Sequence, residues 1–238
     1  MIKKFFKRLI LTILVVLFLT GGYFVFAGYR KYRTVLKDCP IEQAVERYTG
    51  KRSYLSFELI GKDFVNATVS VEDKRFFTRN GYDFIALGRA LLSNLRQGEF
   101  VEGGSTITQQ IAKNLYFHYD DTSLSTKLAQ VFLLYDLEGK YSKKELFALY
   151  ANMNYYGDGY YGLLDASRGY FHEEPSELSL AKSAVLAGIV NAPSAYQLSD
   201  GYELAIKRQH KVLETMLDNE YITQQEFDDA LKEVIPRP

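Results

Sequence analysis

Apolar residues recur at helical spacing along most of the chain. Ile107, Ile111 and Leu115 are four residues apart, which is the spacing of one face of an amphipathic helix. No sustained alternation of apolar and polar residues, the pattern of a β-strand, is present outside short stretches. The pattern therefore predicts a mainly α-helical protein. The predicted helices cover residues 41–48, 63–76, 83–95, 106–116, about 126–138, 142–150, 175–190, 203–217 and 224–234.

Capping residues and breaks support several of these boundaries. Ser142 with Glu145, and Thr223 with Glu226, fit the capping box that begins a helix. Asp83 fits the N-cap of the helix that follows it. Segments containing Gly, Asn or Pro predict irregular loops at 96–104, 152–162 and 191–194. Phe100 and Val101, in the first loop, suit contact with either lipid or the domain's own core.

The N-terminal segment from Leu9 to Tyr29 contains no charged residue. Its length suits a transmembrane helix, which needs about 20 residues. A cleaved signal peptide, cut after Ala27, is the alternative, but its apolar region would exceed the roughly 7–15 residues typical of signals. Basic residues on both sides leave the orientation open. We predict a cytoplasmic tail, a transmembrane anchor, a juxtamembrane connection and an exported domain at residues 1–8, 9–29, 30–62 and 63–238.

The composition excludes several classes of protein. The 29 basic and 29 acidic side chains cancel, which gives no support to nucleic-acid binding. Apolar residues make up 47% of the chain, too many for a disordered protein. The single Cys39 excludes an internal disulfide framework. The three histidines are far apart, so a structural zinc site is not expected.

Two stretches concentrate side chains that could carry chemistry. In Glu102–Leu115, the sequence is EGGSTITQQIAKNL. Its glycines allow close approach of a ligand, and the amides that start the helix, the hydroxyls and Lys113 suit an anion such as a phosphate. Ser105 or Thr106 capping the helix is the alternative. The pattern of an ordinary nucleotide-binding loop is absent from the sequence.

The second stretch is the carboxylate pair Glu72-Asp73. Adjacent side chains on a helix point about 100° apart, so the two carboxylates cannot share one proton. One of them could face a cleft while the other pairs structurally. The alternative is that both are simply solvated.

Both stretches resemble signatures of the peptidoglycan glycosyltransferases, glycosyltransferase family 51. The segment GGSTITQQ-x-x-KN, from residue 103, is similar to the second signature. The segment E-D-x-x-F-x-x-x-x-G-x-D, from Glu72, resembles the first signature, whose glutamate is taken as the catalytic base. In this chain Arg79 stands where that signature has a histidine.

The other signatures follow in the family's order. Lys127 matches the lysine of the third signature, R-K-x-x-E, but Thr126 and Gln130 replace its arginine and glutamate. Glu138 does not restore the glutamate, because eight residues on a helix turn a side chain by about 80°. The segment K-x-x-L-x-x-x-Y-x-N from Lys143 looks like the fourth signature. R-x-x-x-V-L at 208–213 looks like the fifth, and 187–194 also has the family's character. The resemblance covers about residues 60–215.

The resemblance implies a lysozyme-like helical glycosyltransferase domain with a membrane-facing part near residues 80–104. It implies that an acceptor sugar hydroxyl attacks the growing chain and that lipid pyrophosphate leaves with inversion. The substrate would be lipid II, and Glu72 would be the base, with Gln130 at the second catalytic position. The implied substrate-binding residues are Asp73, Gly104, Ser105, Thr106, Thr108, Gln109, Gln110, Lys113, Asn114, Lys127, Tyr150, Asn152 and Arg208.

The implied partners are lipid II, the growing glycan chain, the bilayer and other cell-wall synthesis or division proteins. The implied location is the bacterial cell membrane, with a single pass and the catalytic domain on the outer face. No cofactor is predicted, although a divalent cation, Mg²⁺ or Mn²⁺, bridging the pyrophosphate stays open. The chain ends at Pro238, which leaves too few residues after the glycosyltransferase signatures for a transpeptidase domain, so we expect a monofunctional enzyme.

Two alternatives to polymerase activity stay open. Gln130 carries no charge and cannot exchange a proton. A degenerate homologue that binds lipid II or wall-synthesis proteins without polymerising is therefore the first alternative. Glycan hydrolysis is the second, although a hydrolase has no pyrophosphate for the lysines of the signatures to stabilise.

Overall fold

The computed structural model describes residues 2–79, 81, 105–117 and 121–237. Within these ranges the chain is mostly α-helical, with one isolated β-bridge between Tyr155 and Tyr161. The predicted mainly α fold class is confirmed. The helices are α1 (Ile2–Asp38), α2 (Ile41–Thr49), α3 (Lys62–Glu72), α4 (Ile107–Tyr116), α5 (Leu124–Lys140), α6 (Lys143–Met153), α7 (Leu163–Phe171), α8 (Leu180–Ile189), α9 (Pro193–Tyr196), α10 (Tyr202–Asp218) and α11 (Gln224–Lys232), with a 3₁₀ turn at Phe57–Leu59.

Local capping fixes several of these helices as predicted. Ser142 and Thr223 each form a complete capping box, with Glu145 and Glu226 respectively, at the start of α6 and α11. The predicted helix at 63–76 is too long, because α3 ends at Glu72 and Asp73 leaves the helix with φ −160°. The predicted helix at 83–95, the loop at 96–104 with Phe100 and Val101, and nearly all of the predicted membrane-facing part lie outside the described residues.

Two further differences involve the middle of the chain. The predicted helix at 175–190 begins only at Leu180, because the Ser179 side chain accepts a hydrogen bond from the backbone N–H of Lys182 and caps α8. Helix α7 was not predicted. It is short, and it is bounded by Gly162 at φ 92° and by His172 in the left-handed conformation.

Helix α1 is one continuous helix that includes the predicted anchor. Lys4–Asp38 is long and apolar enough to cross a membrane by length and composition, with a mean hydropathy of 2.5 in its most apolar window. The helix does not stop at Tyr29 but continues to Asp38. The first part of the predicted juxtamembrane connection, residues 30–38, is therefore helical and continuous with the predicted anchor.

The last turns of α1 pack closely against α5. A Cβ atom added to Gly28 would lie 2.6 Å from the Cβ of Leu128, so glycine permits this approach of the two helices. The rings of Tyr29 and Tyr32 each lie 5.5 Å from the ring of Phe132. The end of the predicted anchor is thus held against the helix that carries Lys127 and Gln130.

Polar contacts reinforce this seam between α1 and α5. The Lys31 ammonium donates to the hydroxyl of Thr126 at 2.6 Å and pairs with Asp121. The Tyr32 hydroxyl donates to Asp136 at 2.7 Å. Thr126 stands where the third signature has an arginine, and its buried hydroxyl accepts a hydrogen bond from Lys31 of α1.

Helix α8 lies at the centre of the domain. It packs against α3 and α10, and most of its side chains are buried, as expected for a helix that is apolar on nearly all sides. A Cβ atom on Gly188 would lie 2.9 Å from the Cγ of Arg208, so α10 approaches α8 closely at this point. This packing holds α3, and therefore its last residue Glu72, in a fixed position.

Candidate active site

Glu72 lines an open cleft of about 260 Å³. The cleft lies where the end of α3 meets the polar side of α4 and the first turns of α5. Eight of the predicted site residues line it, together with three residues that were not predicted. The lining residues are Glu72, Ser105, Gln109, Gln110, Lys113, Asn114, Lys127, Gln130, Asn154, Val190 and Asn191.

Helix α4 supplies most of the polar groups because its two sides differ. Ile107 and Ile111 are fully buried in the core, and Gln110, Lys113 and Asn114 lie on the side that lines the cleft. The Thr106 hydroxyl accepts a hydrogen bond from the backbone N–H of Gln109 at 3.1 Å. Thr106 therefore caps α4, as the alternative interpretation of the sequence held, and it does not line the cleft.

Glu72 is half-buried and hydrogen-bonded. The Gln110 amide Nε2 donates to its Oε2 at 2.6 Å. Burial raises the pKa of the Glu72 carboxyl, and this effect exceeds the opposing effects of the Gln110 hydrogen bond and the positive charge of Arg208. Glu72 is thus a better proton acceptor than an ordinary surface glutamate.

Two lysines give the same cleft its positive charge. Lys113 comes from α4 and Lys127 from the first turn and a half of α5. The pKa of Lys113 is lowered, first by burial and then by repulsion from Lys127. Two ammonium groups that repel each other in a partly dry cleft are stabilised by a bound polyanion.

Gln130 lies in the cleft in contact with a second amide. It is 1% exposed, and its Oε1 accepts a hydrogen bond from the Gln109 Nε2 at 3.3 Å. The pair is neutral where the third family signature would place a carboxylate. Among the residues that line the cleft, Glu72 is consequently the one carboxylate.

Glu138 does not replace the missing carboxylate, as predicted from its angular position. Its Oε1 accepts from the Thr108 hydroxyl at 2.7 Å, and its Oε2 accepts from the backbone N–H of Gly81 at 2.7 Å. It also pairs with Lys143 at 2.6 Å and with Arg79 at 3.4 Å. Glu138 therefore ties together the starts of α4 and α6 and the end of α5.

Asp73 belongs to the same buried network. It pairs with Arg79, and its Oδ2 accepts a hydrogen bond from the backbone N–H of Ile107 at 3.2 Å. A carboxylate at this position stabilises the N-terminus of α4. Asp73 was predicted to bind substrate, but it does not line the cleft and instead holds α4 beside the end of α3.

This network predicts a specific loss of stability. Replacing Glu138 by Gln keeps the size of the side chain but leaves Arg79 and Lys143 facing a neutral group, and the side chains of Arg79 and Glu138 are only 9% and 8% exposed. We expect the free energy of unfolding to fall by about 1–3 kcal/mol. The measurement is the thermal unfolding midpoint of the full chain in detergent micelles.

The matched control is Glu42→Gln, since Glu42 forms an exposed pair with Lys140 and is 61% exposed. Exposed pairs contribute little to stability, so its midpoint should stay unchanged. A Glu138→Gln variant that unfolds at the same temperature as the control would contradict the structural role of this network.

Four more predicted site residues lie away from the cleft lining. Tyr150 is fully buried against Phe147 in the aromatic core. The Asn152 side chain exchanges hydrogen bonds with the backbone of Leu55, both at 2.9 Å. Thr108 donates to Glu138. Arg208 lies close enough to Glu72 to lower its pKa, although it does not line the cleft.

Gly104 lies outside the described residues, so its predicted role stays a prediction. Asn154, Val190 and Asn191 were missed. They come from the loop after α6 and the break after α8, where the sequence shows irregular structure but no chemistry. No group of three or more His, Cys, Asp or Glu side chains in the described part of the chain could hold a metal ion.

Comparison with known proteins agrees with this geometry. The family described as Transglycosylase matches residues 39–217. Penicillin-binding protein 1A of Aquifex aeolicus is 39% identical over 181 residues, which cover 76% of this chain and 25% of that protein. Penicillin-binding protein 1F of Bacillus subtilis is 39% identical over 185 residues, which cover 78% of this chain and 26% of that protein.

A protein of Cupriavidus necator named as a candidate transglycosylase is similar over most of both chains. The two are 37% identical over 197 residues, which cover 83% of this chain and 84% of the relative. The chain thus spans about a quarter of the two penicillin-binding proteins but most of this third relative. The resemblance that the signatures indicated is confirmed. By sequence, and by the cleft in which the signature residues meet, the chain belongs to the transglycosylase family, glycosyltransferase family 51.

Proposed function

We propose that the chain is a membrane-anchored peptidoglycan glycosyltransferase that polymerises lipid II and releases polyprenyl pyrophosphate. The observation that carries the proposal is one carboxylate of raised pKa facing the same cleft as two lysines. A base for a sugar hydroxyl and a cationic site for a diphosphate are the two things that this transfer needs.

Glu72 is the general base of the proposed reaction. The acceptor hydroxyl gives its proton to the Glu72 carboxylate as its oxygen forms a bond to the anomeric carbon of the growing chain. The bond from that carbon to the pyrophosphate oxygen breaks on the opposite side, and its electron pair leaves with the pyrophosphate. The Gln110 hydrogen bond at 2.6 Å holds the carboxylate in place for this step.

Lys113 and Lys127 stabilise the negative charge that develops on the leaving pyrophosphate. Ser105, just before α4, also lines the cleft, and its hydroxyl can donate a hydrogen bond to the pyrophosphate. Fixed positive groups in a partly desolvated site stabilise such charge more strongly than water does. A divalent cation that accompanies the pyrophosphate stays a prediction, and no step described here depends on it.

The packing of the proposed anchor on α5 supports a cleft that lies close to the bilayer. Helix α1 is continuous to Asp38, and its last turns pack on α5, which brings Lys127 and Gln130 to the cleft. The reactants are lipid-borne, so an enzyme held at the membrane surface meets them without extracting them. We place the domain on the outer face of the bacterial cell membrane, where glycan chains are assembled.

The test is incubation of the purified full chain with lipid II in detergent micelles. We expect glycan chains on a gel and one polyprenyl pyrophosphate released for each bond formed. Lipid II binding without polymer would favour a degenerate homologue that only binds wall precursors. Soluble fragments from preformed wall material, without polymer from lipid II, would favour a hydrolase.

The neutral pair Gln109–Gln130 gives a further prediction. In Gln130→Glu, a carboxylate would accept the Gln109 hydrogen bond and place a negative charge in the cleft that Lys113 and Lys127 line. It could also exchange a proton, which glutamine cannot. We expect the rate of polymerisation to rise by about tenfold.

Gln130→Met is the matched control, because it keeps the size of the side chain without a charge or a hydrogen bond, and its rate should not rise. An unchanged or lower rate for Gln130→Glu would mean that the amide pair serves the reaction as it stands.

A further inference from the structure

A cation from the anchor helix lies at the position where the third signature has an arginine. Residue 126 is a threonine in this chain, and it is fully buried. The Lys31 ammonium donates a hydrogen bond to the Thr126 hydroxyl at 2.6 Å, a point that an arginine side chain at residue 126 is long enough to reach. A positive group is thus present at this position, but it comes from α1, 95 residues away in sequence.

Lys31 joins the segment before α5 to the first turn of that helix. Its ammonium also pairs with Asp121, whose Oδ1 accepts a hydrogen bond from the backbone N–H of Ser123 at 3.2 Å. The Ser123 hydroxyl caps α5 by accepting from the backbone N–H of Thr126, and it lies 2.9 Å from the Thr126 hydroxyl. Lys31 therefore fixes the first turn of α5 at its cap. The next residue of that turn, Lys127, lines the cleft.

The stability of the fold does not account for a lysine at this place. The N-terminus of a helix carries a partial positive charge, so an ammonium beside it is unfavourable, and Asp121 compensates for this. The side chains of Lys31 and Asp121 are 34% and 33% exposed, and pairs of this kind contribute little to stability. Glycine and ring contacts elsewhere on the seam already join α1 to α5. What the lysine adds is the placement of the first turn of α5, and with it of Lys127.

We infer that Lys31 is a positioning residue for the proposed transfer. It supplies from the anchor helix the cation that the third signature has at residue 126, and it holds Lys127 toward the pyrophosphate. The inference rests on the proposed function and makes the proposed anchor a part of the active site. Displacement of a group in an active site by about 1 Å can cost on the order of 10²-fold in rate, so the anchor affects the transfer itself as well as its location.

The experiment measures kcat and KM for polymerisation of lipid II by full chains in detergent micelles, at a temperature below every unfolding midpoint of the set. The variants are Lys31→Ser, Lys31→Arg, and Lys31→Ser combined with Thr126→Arg. The double variant returns the cation to α5, in the space that the lysine leaves. Lys37→Ser is the matched control, because Lys37 is exposed in the last turn of the same helix and its replacement costs the same helix propensity.

We expect Lys31→Ser to lower kcat about tenfold and to leave KM within a factor of about two, because the charge that Lys127 stabilises grows in the transition state. Lys31→Arg and the double variant should regain most of this loss, and Lys37→Ser should match the wild type. No loss in Lys31→Ser, a loss confined to KM, an equal loss in Lys37→Ser, or a double variant no faster than Lys31→Ser would overturn the inference and leave the proposed function intact. A wild-type chain that makes no polymer would overturn the proposed function and the inference together.

Discussion

The Glu72→Gln variant should lose polymerisation of lipid II by about 10²- to 10⁴-fold, the usual contribution of a positioned general base. Gln has nearly the same size as Glu and still accepts the hydrogen bond from Gln110, so the shape of the cleft should be unchanged. Binding of lipid II should therefore stay within a factor of about two, since the base is needed for transfer and not for holding the substrate.

The same substitution should change how stability depends on pH. Burial raises the pKa of Glu72 in the folded protein above its ordinary value of 4.5. The folded state then binds a proton more tightly than the unfolded state, so wild-type stability falls as pH rises from 4.5 through the folded pKa. Glu72→Gln removes this loss, and its unfolding midpoint should exceed that of wild type near neutral pH by the order of a few degrees.

These results separate catalysis from folding. A large loss of polymer together with an equal or higher unfolding midpoint would assign Glu72 to the chemistry. At pH 4 the Glu72 carboxyl of the wild type is largely protonated in both the folded and the unfolded state, so the midpoints of wild type and variant should converge. A variant that polymerises at the wild-type rate would remove Glu72 from the mechanism and with it the proposed reaction.

The Lys113→Met variant should lose about 10²- to 10³-fold in polymerisation, comparable with removing one donor that stabilises a transition-state charge. Methionine retains most of the aliphatic stem and deletes the ammonium, so the change tests charge more than packing. Lys127 faces the same cleft and would still hold part of the pyrophosphate, which is why we expect a residual rate.

The pH dependence of the wild-type polymerisation rate should reflect the ionisation of both Glu72 and Lys113. The rate should rise with pH as Glu72 loses its proton, at a pH above the usual range of a glutamate. It should fall at alkaline pH as Lys113 loses its charge, at a pH below the usual range of a lysine, because burial and Lys127 lower its pKa. The alkaline fall should weaken in Lys113→Met.

Lys211→Met is the matched control for the lysine variant. Lys211 is 64% exposed and forms a surface pair with Glu214 on α10. Removing an exposed charge outside the cleft should leave both the rate and its alkaline limb at wild-type values. Equal losses in Lys113→Met and Lys211→Met would mean that overall charge, and not a pyrophosphate site, controls the reaction.

Helices and their ends could be read from the sequence where the signal is local. The capping boxes at Ser142 and Thr223 and the apolar spacing of α4 predicted helices that the structure contains. The predicted helix boundaries were wrong where tertiary contacts determine the end of a helix. Helix α3 stops at Glu72 because Asp73 turns to bind Arg79 and the N-terminus of α4, a contact thirty-four residues away in sequence.

The candidate site was predicted in part, for the same reason. Signature residues on the cleft side of α4 and α5 meet as expected, because both helices have one buried side and one free side. Asp73, Tyr150 and Asn152 belong to the same signatures, yet they act in the core and in the buried network. A sequence signature therefore includes residues that stabilise the fold as well as residues that contact the substrate.

The sequence by itself determined the helical class, the apolar N-terminal segment and the family, because helix periodicity, caps and signatures are local patterns. Only the tertiary structure decided that Glu72, Lys113 and Lys127 share one cleft and that Asp73 lies outside it. It also brought Asn154, from a loop without a chemical signal, to a polar atom of α4. These contacts depend on how helices that are distant in sequence pack together. That packing is determined by the whole buried core and cannot be predicted from any single segment.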